Sequence, residues 1–124
     1  MHQIRVLLAD DNAIFRQGLR RLLETDPEII VVGEAKDGLD VVYQAERTAP
    51  DVILMDIRMP GQNGLDAAQE ILARSADVEI IALTNYDTPQ LRAAARAAGM
   101  HAYLPKSTDA EVLLATIHAV GTRS

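Results

Sequence analysis

A doubly wound α/β domain, one parallel sheet with helices on both faces, is the fold class this sequence predicts. Three observations predict it. Short apolar runs recur along the chain, each too continuous to alternate between a wet and a dry face, which is how strands buried on both sides of a parallel sheet read. Stretches with helical spacing separate those runs. Helix-start and helix-stop residues fall at the junctions. Alternating strands and helices joined by right-handed crossovers place helices on both faces of a single sheet.

The first strand is Ile4 to Ala9. Phe15, Leu19, Leu22 and Leu23 follow at helical spacing, and Asp26-Pro27 stops that helix, since proline disfavours helical backbone in the residue before it. The second run is Ile29 to Val32, the third Val52 to Met55, and the fourth Val78 to Leu83, broken only by Glu79. Thr88 caps the next helix with Pro89 at its first position; the body runs from Leu91 to Ala98, crowded with alanine, and Gly99 supplies a left-handed end. The fifth and weakest run is His101 to Leu104. Thr108 to Glu111 matches a capping box that opens the last helix, which carries Val112, Leu113, Ile117 and Val120. The domain is read as residues 1–120, with 121–124 a tail or the start of a linker.

Composition narrows the function. A length of 124 residues suits one domain, and the absence of cysteine removes disulfides, thiolate metal sites and thiol nucleophiles. Twelve Lys plus Arg against eighteen Asp plus Glu gives 12 − 18 = −6, which disfavours direct nucleic-acid contact by this domain, because phosphate neutralisation needs clustered cations. No apolar run approaches the roughly 20 residues of a membrane span. A cytoplasmic domain is expected. With 48% apolar but 3% aromatic residues, the core must be aliphatic.

In doubly wound sheets ligands bind outside the carboxyl ends of the strands. The residues there are Asp10-Asp11-Asn12, Glu34-Ala35-Lys36, Asp56-Ile57-Arg58, Thr84-Asn85 and Pro105-Lys106. Asp10, Asp11 and Asp56 come together if the first and third strands are neighbours. Like charges that close are destabilising without a cation, and a hard oxygen-seeking ion such as Mg²⁺ answers that need. A carboxylate beside a metal, a hydroxyl and a lysine is also equipped as a nucleophile toward phosphorus. Each residue alone has a plainer role: Asp10, Asp11 and Asn12 as helix caps, Asp56 as a turn residue before Pro60-Gly61, Thr84 as a strand end, Lys106 as a solvated charge. One phosphoryl site accounts for their coincidence. His2, His101 and His118 are read as surface or packing residues away from the acids.

Leu8-Ala9-Asp10-Asp11-Asn12, Met55-Asp56-Ile57-Arg58-Met59-Pro60-Gly61-Gln62-Asn63-Gly64, Ala82-Leu83-Thr84 and Tyr103-Leu104-Pro105-Lys106 together resemble the receiver domain of two-component response regulators. The resemblance covers essentially the whole chain, and the opening Arg5 to Asp11 with the run around Asp56 is most similar to the NarL/FixJ (LuxR-type) transcriptional regulators. It implies a flavodoxin-like (CheY-like) sheet of five parallel strands in the order 2-1-3-4-5. It implies that Asp56 accepts a phosphoryl group from a sensor histidine kinase. Mg²⁺ would be held by Asp11 and Asp56, by Asp10 through water, and by the backbone carbonyl of Arg58. Thr84 and Lys106 would bind phosphoryl oxygens, with Tyr103 the switch aromatic.

Where the family often has proline after the lysine, Ser107 follows Lys106, so no cis bond is expected there. Asn85 stands where the family is often small, positioned to orient a water or screen the site. Arg58 and Tyr86 occupy the positions that tune phosphate lifetime in the family, and their bulk predicts obstruction of attacking water. The leading expectation is a phosphorylation-controlled module of a transcription factor with a helix-turn-helix output domain elsewhere, pairing as a homodimer on phosphorylation. The alternatives are a stand-alone receiver or relay carrier, and an Mg²⁺-dependent aspartyl phosphohydrolase. The last usually shows Asp-x-Asp, whereas Arg58 stands two residues after Asp56. Such a receiver would not be a turnover enzyme; it would catalyse only its own slow phosphorylation and dephosphorylation.

Overall fold

The computed structural model describes residues 3–121. Its elements are β1 (Ile4–Ala9), α1 (Ala13–Glu24), β2 (Ile29–Ala35), α2 (Gly38–Thr48), β3 (Val52–Met55), α3 (Gly64–Arg74), β4 (Glu79–Thr84), α4 (Pro89–Ala97), β5 (Ala102–Pro105) and α5 (Ala110–Gly121). The sheet is parallel in the order β2-β1-β3-β4-β5, as the resemblance implied.

Side chains alternate across the sheet and so divide the core into two layers. Leu7, Ile53, Met55 and Ile80 pack with Val41, Ala67, Ala68, Ile71 and Ala95 of α2, α3 and α4. Val6, Leu8, Leu54 and Ile81 pack on the other face with Leu19, Leu23, Leu113 and Ile117 of α1 and α5. β1 and β3 lie inside the sheet and are almost wholly buried, with Leu7, Leu8, Ile53 and Met55 all at 0% exposure, so they read as unbroken apolar runs. Each such side chain contributes about 1.5–3 kcal/mol by burial. Small side chains at Ala67 and Ala68 bring α3 close to the sheet.

Several boundaries differ from those read in the sequence. β2 continues past Val32 to Ala35, pairing Leu8 with Glu34 and Ala9 with Ala35 after a register shift between Val6 and Leu7. It is an edge strand, where a glycine and a charged residue are tolerated. Glu34 is therefore inside β2, held by Arg16 and Arg20 of α1, and is not a strand-end ligand. α5 starts at Ala110: Asp109 accepts the first helical bond, from Leu113 N–H at 3.0 Å, and the Thr108 hydroxyl donates to the Pro105 carbonyl instead of capping. Gly121 belongs to α5 and lies against Ile4 and Val52; 122–124 and His2 fall outside the described residues. His101 is exposed and His118 half-buried, and each lies 2.7 Å from a carboxylate, of Glu79 and Asp26 respectively. Among the described residues no helix is long and apolar enough to cross a membrane.

Candidate acidic phosphoryl site

Main-chain bonds one residue past the strands aim the site. Asp10 N–H donates to Ala35 O at 3.0 Å, Asp56 N–H to Ala9 O at 2.9 Å and Lys106 N–H to Thr84 O at 3.0 Å. Ladder bonding thus carries each residue to the carboxyl edge before the chain turns away. Asn12 caps α1 by accepting from Phe15 N–H at 3.0 Å, so of the three polar residues after β1 it is the one that takes the capping role.

Asp10 and Asp56 are buried at 3% and 5% exposure, while Asp11 is exposed. One carboxylate oxygen from each lies within 4.8 Å of the others. Lys106 Nζ bridges the buried pair, 2.6 Å from Asp10 Oδ2 and 3.0 Å from Asp56 Oδ2, and sits 4.4 Å from the centre of the Phe15 ring. The remaining oxygens take main-chain donors: Asn12 N–H to Asp10 Oδ1 at 2.9 Å and Arg58 N–H to Asp56 Oδ1 at 3.2 Å. Burial pushes the Asp10 carboxyl above its ordinary range, against the pull of Lys106 and the Asn12 N–H. Burial also works against the Lys106 charge, but hydrogen bonds to Asp10 and Asp56 outweigh it and hold the ammonium above its usual value.

The acids open on a cleft of about 720 Å³ lined by Asp11, Asp56, Arg58, Asn85, Tyr86 and Lys106, among others. The Arg58 guanidinium stacks over the Tyr86 ring at 4.1 Å. Thr84 is fully buried at the end of β4, its hydroxyl accepting from Tyr86 N–H at 3.2 Å. Tyr103 stands outside the cleft lining, where its O–H donates to the Tyr86 carbonyl and the Arg92 guanidinium lies 4.9 Å from its ring centre. No cis peptide occurs among the described residues, in keeping with Ser107 after Lys106. The oxygen-only donor set of Asp10, Asp11 and Asp56, beside an open cleft, fits a small hard divalent cation.

Sequence reasoning missed the contacts that hold the loops, including those of residues it had named, such as Gly64 and Phe15. A Cβ at Gly38 would lie 1.7 Å from Gln62 O, and one at Gly64 would lie 2.5 Å from Asp56 O. These two glycines let the segment between β3 and α3 settle against α2 and under Asp56. The contacts of Phe15 beneath Lys106 and of Arg16 at the Asp10 carbonyl were also unmarked, because helical spacing says which face a residue occupies and not which atom it meets.

A carboxylate triad, a bridging lysine and a buried threonine at the carboxyl edge of a 2-1-3-4-5 sheet define a phosphoryl-receiving signalling domain in its general class. Residues 6–118 match the family model described as response regulator receiver domain, and the chain belongs to that family. Several of its relatives carry the name of transcriptional regulatory protein. It is 43% identical over 117 residues to the response regulator UvrY of Escherichia coli, covering 94% of this chain and 54% of that protein. It is 35% identical over 119 residues to the transcriptional regulatory protein DegU of Brevibacillus brevis, covering 96% and 50%. The chain thus spans about half the length of the curated relatives it matches. Among solved structures, the receiver domain of the putative response regulator NarL from Mycobacterium tuberculosis superposes with TM-score 0.91 at 29% identity, covering 99% of this chain and 100% of that one. A LuxR-family response regulator from Aurantimonas does so with TM-score 0.90 at 33% identity, covering 95% and 84%.

Proposed function

We propose that Asp56 is the phosphoacceptor of this receiver domain. The observation that carries the reading is the bridge from Lys106 to both Asp56 and Asp10 at the mouth of an open cleft. A carboxylate oxygen of Asp56 attacks phosphorus of a phosphohistidine on a sensor kinase; the P–N bond breaks, and the imidazole leaves with a proton from solvent. Lys106 is placed to follow the charge that develops on the transferred oxygens, and Thr84 supplies a hydroxyl at the next strand end. Mg²⁺, held by Asp11 and Asp56 with Asp10 and the Arg58 carbonyl completing its surroundings, would neutralise phosphoryl charge.

The new charge at Asp56 then biases the neighbouring loops. Thr84 is bonded to Tyr86 N–H, and the Tyr86 carbonyl receives Tyr103, so displacement of Thr84 reaches Tyr103 and α4 through a single residue. Output would be transcriptional, through a DNA-binding domain such as the length of its relatives leaves room for, with a homodimer as the active form. The receiver domain would take in Gly121 as well as residues 1–120, since Gly121 belongs to α5. The phosphoryl group would be lost slowly by self-catalysed hydrolysis, with Arg58, Asn85 and Tyr86 setting the pace.

The test is to incubate the chain with acetyl phosphate and Mg²⁺ and weigh the intact protein. One phosphoryl adduct is expected on the wild type, none on Asp56→Ala and none when EDTA replaces Mg²⁺. An equal adduct on Asp56→Ala would defeat the assignment.

A further inference from the structure

We propose that Arg16 is a positioning residue for divalent-cation binding, acting on Asp11 through the main chain of Asp10. The inference rests on the reading of the acid cluster given above. Asp10 stands just beyond β1, and its polar atoms are held from every side: the N–H by Ala35 O at 3.0 Å, Oδ1 by Asn12 N–H at 2.9 Å, Oδ2 by Lys106 at 2.6 Å. The main-chain carbonyl remains. At 3% exposure the residue is closed to bulk water, and a carbonyl there needs a donor. The next N–H along β3, that of Asp56, is already bonded to Ala9 O. Arg16 Nη1 supplies the bond, 2.5 Å from Asp10 O.

Arg16 is itself aimed. Its Nε donates to Glu34 Oε1 at 3.1 Å, and Arg20 Nη1 holds the other Glu34 oxygen at 2.8 Å. Burial acts against the Glu34 charge, but Arg20 and Arg16 together hold its carboxyl below the usual range, so it is anionic at neutral pH. Arg20 also pairs with Glu24 at 3.3 Å, so two guanidiniums face two carboxylates and the Arg16 charge is matched within that network. Its influence on the three acids runs through geometry more than through its field.

That geometry is specific. The Asp10 carbonyl and the Asp11 N–H belong to one rigid peptide plane, so a donor fixed on the carbonyl fixes the direction in which Asp11 leaves the strand. Asp11 is the exposed member of the triad and has no side-chain hydrogen bond among the described residues, so the peptide plane is what aims it. Mg²⁺ demands near-ideal octahedral placement of its ligands. A residue that aims a ligand without touching the ion is worth roughly 10-fold in affinity at such sites.

The experiment is an NMR titration of the full chain with MgCl₂, following the amide resonances of the loop after β1, with thermal midpoints recorded in Mg²⁺-free buffer. Arg16→Ala is expected to weaken Mg²⁺ binding roughly 10-fold. Arg16→Lys, which keeps one donor, is expected to recover part of that loss, and Glu34→Gln, which frees Arg16 from its anchor, to fall between. Affinity within twofold of wild type in Arg16→Ala, whatever its midpoint, would overturn the inference, as would an Arg16→Lys variant that binds Mg²⁺ no better than Arg16→Ala. A wild type that takes up no Mg²⁺ would instead strike the acid-cluster reading itself.

Discussion

The Arg58 guanidinium lies 4.1 Å from the centre of the Tyr86 ring and so joins the loop after β3 to the loop after β4 across the acid cleft. Both residues line the cleft onto which Asp56 opens. Each of Arg58→Ala and Tyr86→Ala is expected to speed loss of the phosphoryl group by roughly 3- to 10-fold, the equivalent of about 1 kcal/mol for a cation–π contact. The double variant should add little, since either change breaks the same contact. The check is the decay of the adduct by intact mass; an Arg58→Ala adduct as long-lived as the wild type would sink the idea.

Lys106→Gln leaves the buried carboxylates of Asp10 and Asp56 without their shared cation. In Mg²⁺-free buffer a loss of about 2–3 kcal/mol is expected from urea denaturation, narrowing when Mg²⁺ is added. The pH sign follows from the raised ammonium: its contribution is fully present below the unfolded lysine value and lost as pH rises through the folded one. The gap between wild type and variant should therefore hold on the alkaline side up to about pH 9, and narrow only toward acid, where the Asp10 carboxyl, raised by burial and no longer opposed by Lys106, takes up its proton more readily. A gap closing between neutral pH and about pH 9 would count against the bridge.

Gly38→Ala would drive a methyl into Gln62 O, 1.7 Å from the new Cβ. The backbone must move, and a cost of about 2–3 kcal/mol is expected. Gly18→Ala provides the contrast, because a Cβ there would meet no atom of another element within 4 Å, and the variant should gain about 0.5–1 kcal/mol from helix propensity. Melting curves of the two variants decide it; equal shifts would show that the contact with the loop is immaterial.

Asp26, in the turn after α1, is bonded to His118 of α5 at 2.7 Å. The His118 bond, aided by the Glu28 N–H, holds the Asp26 carboxyl below its usual range. Such a group adds stability that is present above its unfolded pKa, about 4, and is lost as pH falls through the lower folded value. Asp26→Asn should cost about 1 kcal/mol near pH 6, and the difference should shrink below about pH 4. Denaturant midpoints at the two pH values check the sign, and a difference that grows on acidification would contradict it.

Much of the site was legible because its residues follow directly on apolar strands. Asp10 and Asp56 continue runs whose burial is visible in the sequence, Lys106 follows the weaker, half-buried β5, and parallel topology then carries all three to one edge. Edge strands were less legible. Glu34 reads as a strand-end charge because neither the length of an edge strand nor the guanidiniums that neutralise it are written in hydropathy. Capping residues are ambiguous by one position for a similar reason: Thr108 and Asp109 both suit a helix start, and the turn after β5 selects Asp109.

By itself the sequence determined the fold class, the two-layer aliphatic core and the set of acids at the carboxyl edge, because burial pattern and strand direction are one-dimensional properties. Only the tertiary structure decided which atoms meet. It set Lys106 between two carboxylates, Arg16 on the Asp10 carbonyl, Arg58 over Tyr86, and glycine at 38 and 64 where two loops touch. Those contacts join residues whose spacing along the chain has no period, so they exist only once the packed sheet has brought separate loops within hydrogen-bond reach.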